Sequence, residues 1–85
     1  AERLRTIFRE SVLSVDYAQN LVVLKTMEGL ANGAGSAVDK MEGIDIVGTL
    51  AGDDTVLLVM RDTESAATFC RELREFKRRL REQLH

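Results

Sequence analysis

Apolar positions along the chain recur with two different periods, and the changes between them mark out the elements. Leu4, Ile7 and Phe8 fall at helical spacing among Glu2, Arg3, Arg5 and Arg9, which predicts a short amphipathic helix over about residues 2–10. Val12, Leu13 and Val15 begin a strand, Asp16 to Asn20 carry turn formers, and Leu21 to Thr26 read as a second strand that closes a hairpin. After a boundary at Glu28 and Gly29, the residues Leu30, Ala34, Ala37, Val38 and Met41 line one face of a second helix. Gly33 and Gly35 lie inside it, each costing about 1 kcal/mol relative to Ala. Ile44 to Leu50 and Thr55 to Met60 form a third and a fourth strand around Gly52-Asp53-Asp54. Asp62 or Thr63 can cap a last helix that runs to about residue 83, with Ala66, Phe69, Cys70, Leu73, Phe76, Leu80 and Leu84 on one face.

The order is αββαββα, and sequential hairpins make each half antiparallel. The pattern therefore predicts an α+β fold, a four-stranded antiparallel sheet packed against helices. Leu21 to Leu24 and Val56 to Met60 are unbroken apolar runs, not the alternation of a sheet with one wet face. Short apolar runs also arise by chance, but here they point to a sheet buried on both sides. Helices in so small a chain can cover one side, so the other is expected to meet a partner subunit in a homo-oligomer. The small residues Gly33, Ala34, Gly35, Ser36 and Ala37 suit close packing of the second helix against a symmetry mate, or else mark a weak surface helix.

Composition narrows the function. The 85 residues have room for one domain, and 45% hydrophobic content without proline or low-complexity runs excludes disorder. Twelve basic against fourteen acidic residues give a net charge of -2, so the chain by itself has no sequence-wide positive field for DNA or RNA. The basic run Lys77-Arg78-Arg79-Leu80-Arg81 has Glu72, Glu75 and Glu82 at helical pairing distances and reads as a solvated face. Cys70 is the only cysteine, which rules out an intramolecular disulfide, a zinc cluster and a CxxC pair, and its place on an apolar stripe reads as core. No apolar stretch approaches the roughly 20 residues of a membrane span, and no signal-peptide core is present, so a cytoplasmic protein without membrane contact is expected. The chain starts at Ala1 directly in a helical pattern, which suggests that an amino-terminal portion has been removed. His85 is the only histidine, so no Ser-His-Asp or Cys-His arrangement is expected, and the chain reads as a non-enzyme.

The chemistry concentrates at Gly48 to Val56, where Asp53 and Asp54 sit side by side on a glycine turn between two apolar strands. Two adjacent carboxylates repel, and in apolar surroundings they call for a cation. Such pairs also occur in solvated hairpin turns that only turn. One possible cation is Mg²⁺ in a metal-dependent enzyme, although the further convergent carboxylates expected there are not displayed. A generic amino-acid-sensing or dimerisation domain of a metabolic enzyme is a further reading.

Val47-Gly48-Thr49-Leu50-Ala51-Gly52-Asp53-Asp54-Thr55-Val56 resembles the GTIAGDDTI signature of the carboxyl-terminal domain of bacterial arginine repressors. The resemblance extends upstream through Ser14-Val15-Asp16, Val22 to Thr26, Gly29 to Asn32 and Val38-Asp39, in the same order and spacing. It implies a domain that trimerises, pairs trimers into hexamers and binds L-arginine between them as co-repressor, with no metal. It also implies that operator DNA is bound by an amino-terminal winged-helix domain absent from this chain. By the same resemblance, Asp53 and Asp54 contact the ligand, Thr49 and Ala51 line the pocket, and a polar residue and an acidic residue of the second helix match Asn32 and Asp39. Relatives usually carry Gln or His where this chain has Asn32, whose side chain is a methylene shorter than Gln. Glu28 replaces a common proline.

The residues themselves fit such a ligand. Arginine presents a planar guanidinium, an α-ammonium and an α-carboxylate, so a selective site needs carboxylates for the first two and donors for the third. Asp53 and Asp54 supply the former. If the backbone is extended there, they point to opposite sides and can serve two pockets. Open amides at the start of the second helix, near Leu30 to Asn32, can receive the α-carboxylate.

Overall fold

A computed structural model describes residues 2–41 and 43–82. The elements run α1 (Glu2–Ser11), β1 (Val12–Ala18), β2 (Leu21–Thr26), α2 (Ala31–Asp39), β3 (Ile46–Ala51), β4 (Thr55–Met60) and α3 (Thr63–Glu82). This is the predicted order, and the sheet is antiparallel throughout. Its strand order is β1-β2-β4-β3, so the two hairpins are joined through β2 and β4 at the centre. The expected helix end at residue 83 and Leu84 lie outside the described residues, as do Ala1 and His85.

The boundaries depart from expectation where polar residues occupy an edge strand. The segment from Asp16 to Ala18, read as turn, continues β1, because Asp16, Tyr17 and Ala18 pair with Val23, Val22 and Leu21. Only Gln19 and Asn20 turn the chain, with Gln19 at a φ of 53°. Asn20 fastens this hairpin to the centre of the sheet: its carbonyl accepts from the Met60 amide at 2.8 Å and its side-chain amide donates to the Met60 carbonyl at 3.3 Å. β3 starts at Ile46, not Ile44, and a register shift between Ile46 and Gly48 leaves Val47 exposed. α2 is shorter than the span from Leu30 to Met41 predicted by its apolar stripe, since its ends depend on local backbone bonds.

One sheet face carries Val12, Val15, Val22, Leu24, Val56, Leu58 and Met60, all buried. α2 packs on it beside β3 and β4, α3 beside β1 and β2, and α1 closes over both helices. Phe8 of α1 meets Phe76 of α3 edge to face, with ring centres 5.3 Å apart. The opposite face does not share this cover within one chain. Leu21, Val23, Leu57 and Val59 are half-buried, and Leu50 is 70% exposed. The unbroken apolar runs thus resolve into one buried face and one open apolar face of Leu21, Val23, Leu50, Leu57 and Val59.

The two glycines of α2 differ in role. A Cβ on Gly35 would lie 3.4 Å from Val56 Cγ1, 3.5 Å from Thr49 Cγ2 and 3.6 Å from Ala51 Cβ. Gly35 therefore lets α2 approach its own sheet, which corrects the expectation that it packs against a symmetry mate. Gly33 faces open space within 4 Å. Gly33→Ala is expected to stabilise the domain by roughly 0.5–1 kcal/mol through helix propensity. Gly35→Leu should destabilise it by about 1–3 kcal/mol through overpacking. Urea denaturation midpoints check both.

α3 is capped as its sequence predicts. Asp62 accepts a hydrogen bond from the Ser65 amide at 2.8 Å. That bond, with a smaller contribution from the Ser65 hydroxyl, holds the Asp62 carboxyl below its ordinary value of 3.8. A depressed folded-state value contributes stability that is present above the ordinary value and is lost as pH falls through the lower one. Asp62→Ala should lower the thermal midpoint at pH 7, with a smaller difference from the parent domain at pH 2–3, as a calorimetric pH series would show. Further along α3, Arg78 pairs with Glu75 and Glu82, and Arg79 with Glu75 at 3.4 Å. Two bases of the run, Arg78 and Arg79, are thus paired along the helix itself. Cys70 is buried, and desolvation pushes its thiol upward.

Candidate functional site

The Gly52-Asp53-Asp54 turn is held by its backbone against the connection between β2 and α2. The Gly52 amide donates to the Thr55 carbonyl at 2.8 Å and closes the turn. The Asp53 carbonyl accepts from the Gly29 amide at 3.1 Å and the Ala31 amide at 3.3 Å, while the Asp54 carbonyl accepts from the Thr26 amide at 2.8 Å. A β4 hairpin turn is thereby fixed beside the amino end of α2, with both carboxylate residues exposed. Two expected amides are already used, because Leu30 donates to the Met27 carbonyl at 3.1 Å and Ala31 to Asp53. Of the amides expected to be open, Leu30 to Asn32, only that of Asn32 remains, and the Gly33 amide follows it. Leu30, at the cap position, supplies no side-chain cap for them.

The other predicted residues lie along the seam between α2 and β3. Thr49 of β3 donates its hydroxyl to Asp39 Oδ1 at the end of α2, at 2.8 Å. Gly35 lies over Thr49 and Ala51 midway along, and the bond from Ala31 to the Asp53 carbonyl closes the other end. Asn32 and Asp39, seven residues apart, share one face of α2, and both are exposed. Thr49, Ala51 and Asp39 thus meet at the α2–β3 seam, Asn32 lies on the same face of α2 as Asp39, and the Asp53-Asp54 turn joins the seam through its backbone, with the Asp54 carboxylate held by Thr55. The carboxylates of Asp39, Asp53 and Asp54 are all exposed. Among the described residues, no three or more metal-ligating side chains come together.

Two residues of this neighbourhood escaped sequence reasoning. Lys25 of β2 donates to the Thr55 hydroxyl at 3.0 Å, and Thr55 donates to Asp54 Oδ1 at 2.9 Å. The available signal was Lys25 itself, a lone charge at the end of an apolar run, but its partner depends on the pairing of Lys25 with Thr55 across β2 and β4.

Residues 8–75 match the family model described as arginine repressor, C-terminal domain. The chain belongs to that family. It is 51% identical over 71 residues to the arginine repressor of Acetivibrio thermocellus, covering 84% of this chain and 46% of that protein. It is 43% identical over 75 residues to that of Alkaliphilus oremlandii, covering 88% and 50%, and equally identical to that of Carboxydothermus hydrogenoformans over the same shares. The chain spans about half the length of these curated relatives. Membership of a repressor family makes this arginine repressor C-terminal domain a regulatory module, not an enzyme. The matched span includes the whole seam and the Asp53-Asp54 turn, and it leaves out most of α1 and the last turns of α3. No described helix is long and apolar enough to cross a membrane.

Proposed function

We propose that this domain senses L-arginine and joins copies of itself into trimers that pair as hexamers, forming the co-repressor-binding core of a cytoplasmic repressor of arginine metabolism genes. Operator DNA is then bound by a winged-helix domain amino-terminal to this segment, and no metal takes part. The observation that carries the reading is the docking of the Asp53-Asp54 turn on the start of α2. It brings the Asp53 backbone onto the Ala31 amide, next in the chain to Asn32 and Gly33, and on this reading one amino acid meets the carboxylates with its cationic groups and those amides with its own carboxylate. Asp39, oriented by Thr49, adds a third acceptor, and Asn32 offers a side-chain amide. Thr49 and Ala51 shape the wall beneath Gly35.

Assembly has its own support. The open face of Leu21, Val23, Leu50, Leu57 and Val59 is a continuous apolar surface of the kind that subunit interfaces cover. The ligand surface lies at the β3 edge, where an arginine held by one chain can also be met by another. Calorimetric titration with L-arginine in the presence of a chelator tests the sensing role. Heat of binding without turnover supports it; no uptake, or uptake that needs a divalent metal, refutes it.

A further inference from the structure

Resting on that reading of the site, we propose that Lys25 and Thr55 are positioning residues, a relay that sets the orientation of the Asp54 carboxylate and so lets the site distinguish a guanidinium from a simple ammonium. The direction of the relay follows from chemistry. A lysine ammonium can only donate and an ionised carboxylate can only accept, so the Thr55 hydroxyl must accept from Lys25 and donate to Asp54. The distances of 3.0 and 2.9 Å fit both links.

Backbone bonds already fix the turn, through the Asp53 carbonyl to Gly29 and Ala31 and the Asp54 carbonyl to Thr26. What remains free is the rotation of each carboxylate about its side-chain bonds. The relay removes that freedom at Asp54 by occupying Oδ1, leaving Oδ2 to a ligand. Among the described residues, the Asp53 carboxylate receives no comparable side-chain bond. Two adjacent acids of the same type are thus made unequal, one oriented and one adjustable. The Lys25 charge also offsets part of the repulsion between them. Orientation matters more for arginine than for lysine, because a guanidinium is a planar fork of directed donors whereas an ammonium is a compact charge with rotatable donors.

The test compares L-arginine with L-lysine on the whole domain by calorimetry. Changes in local charge act on both ligands alike, so the ratio of the two affinities isolates orientation. Thr55→Val keeps the β-branched shape and removes the hydroxyl, and Thr55→Ser restores it. The expected result is a loss of about five- to tenfold in the arginine-to-lysine ratio for Thr55→Val and for Lys25→Met, with Thr55→Ser within about twofold of the parent domain. General destabilisation would weaken both ligands together and leave the ratio unmoved. A ratio unchanged in Thr55→Val overturns the relay while leaving arginine sensing intact. A parent domain that binds no L-arginine overturns the sensing reading itself.

Discussion

Asp54→Asn is expected to weaken L-arginine binding by tens-fold or more, with Asp53→Asn next in effect. Each substitution keeps the shape of the side chain and removes one negative charge. The backbone bonds that dock the turn run through main-chain atoms of both residues, so the hairpin should stand in both variants. On the proposed reading, what is lost is a charge-assisted contact to the cationic groups of L-arginine. Removing one partner of a buried, hydrogen-bonded pair costs on the order of 2 to 5 kcal/mol when the pair is desolvated. Calorimetric titration measures the change. Unchanged affinity in both single variants would remove the site assignment without touching the family assignment, which rests on residues 8–75 as a whole.

L-Arginine is expected to shift the equilibrium between trimers and hexamers toward hexamer. A ligand that contacts both trimers binds the hexamer more tightly than its halves, and linkage then requires it to stabilise the larger assembly. Charge supplies the cause. Asp39, Asp53 and Asp54 are all exposed, and on the proposed reading their carboxylates repel those of a facing trimer. On the same reading, a bound guanidinium and α-ammonium would reverse the sign of that interaction by bridging carboxylates of different chains. Dilution should therefore split the ligand-free protein first. Because surface charge is screened over about 8 to 10 Å in physiological salt, moderate salt should favour the ligand-free hexamer while weakening a buried bridge only modestly. Sedimentation across a dilution series, with L-arginine, with citrulline and with neither, checks this. Citrulline lacks the guanidinium charge, so equal stabilisation by citrulline would show that the carboxylates do not read charge. An equilibrium indifferent to arginine would show that the ligand does not bridge trimers.

The central strands were legible because their signal is local. Leu21–Thr26 and Thr55–Met60 are built around the apolar runs Leu21 to Leu24 and Val56 to Met60, and Asp62 caps α3 through a bond only three residues long. The edge strands were less legible. Asp16, Tyr17 and Ala18 read as turn formers because a solvent-facing edge strand tolerates polar side chains, and only pairing with Val23, Val22 and Leu21 makes them a strand. The run Gly48 to Val56 announced the candidate site, but it did not show that the turn docks on α2, since Gly29, Ala31 and Asp53 meet only after the hairpins join.

By itself the sequence determined the order of the elements, the antiparallel hairpins, the single core and the family, because each follows from periodicity, capping and motif within a few tens of residues. Tertiary structure alone decided the β1-β2-β4-β3 order, the close approach at Gly35, the bond from Thr49 to Asp39, and the meeting of Lys25 with Thr55 and Asp54. The physical reason is the same in each case. These contacts join residues from different hairpins or from a helix and a strand, and their partners are selected by register and packing once the core has closed, which no local pattern of side chains encodes.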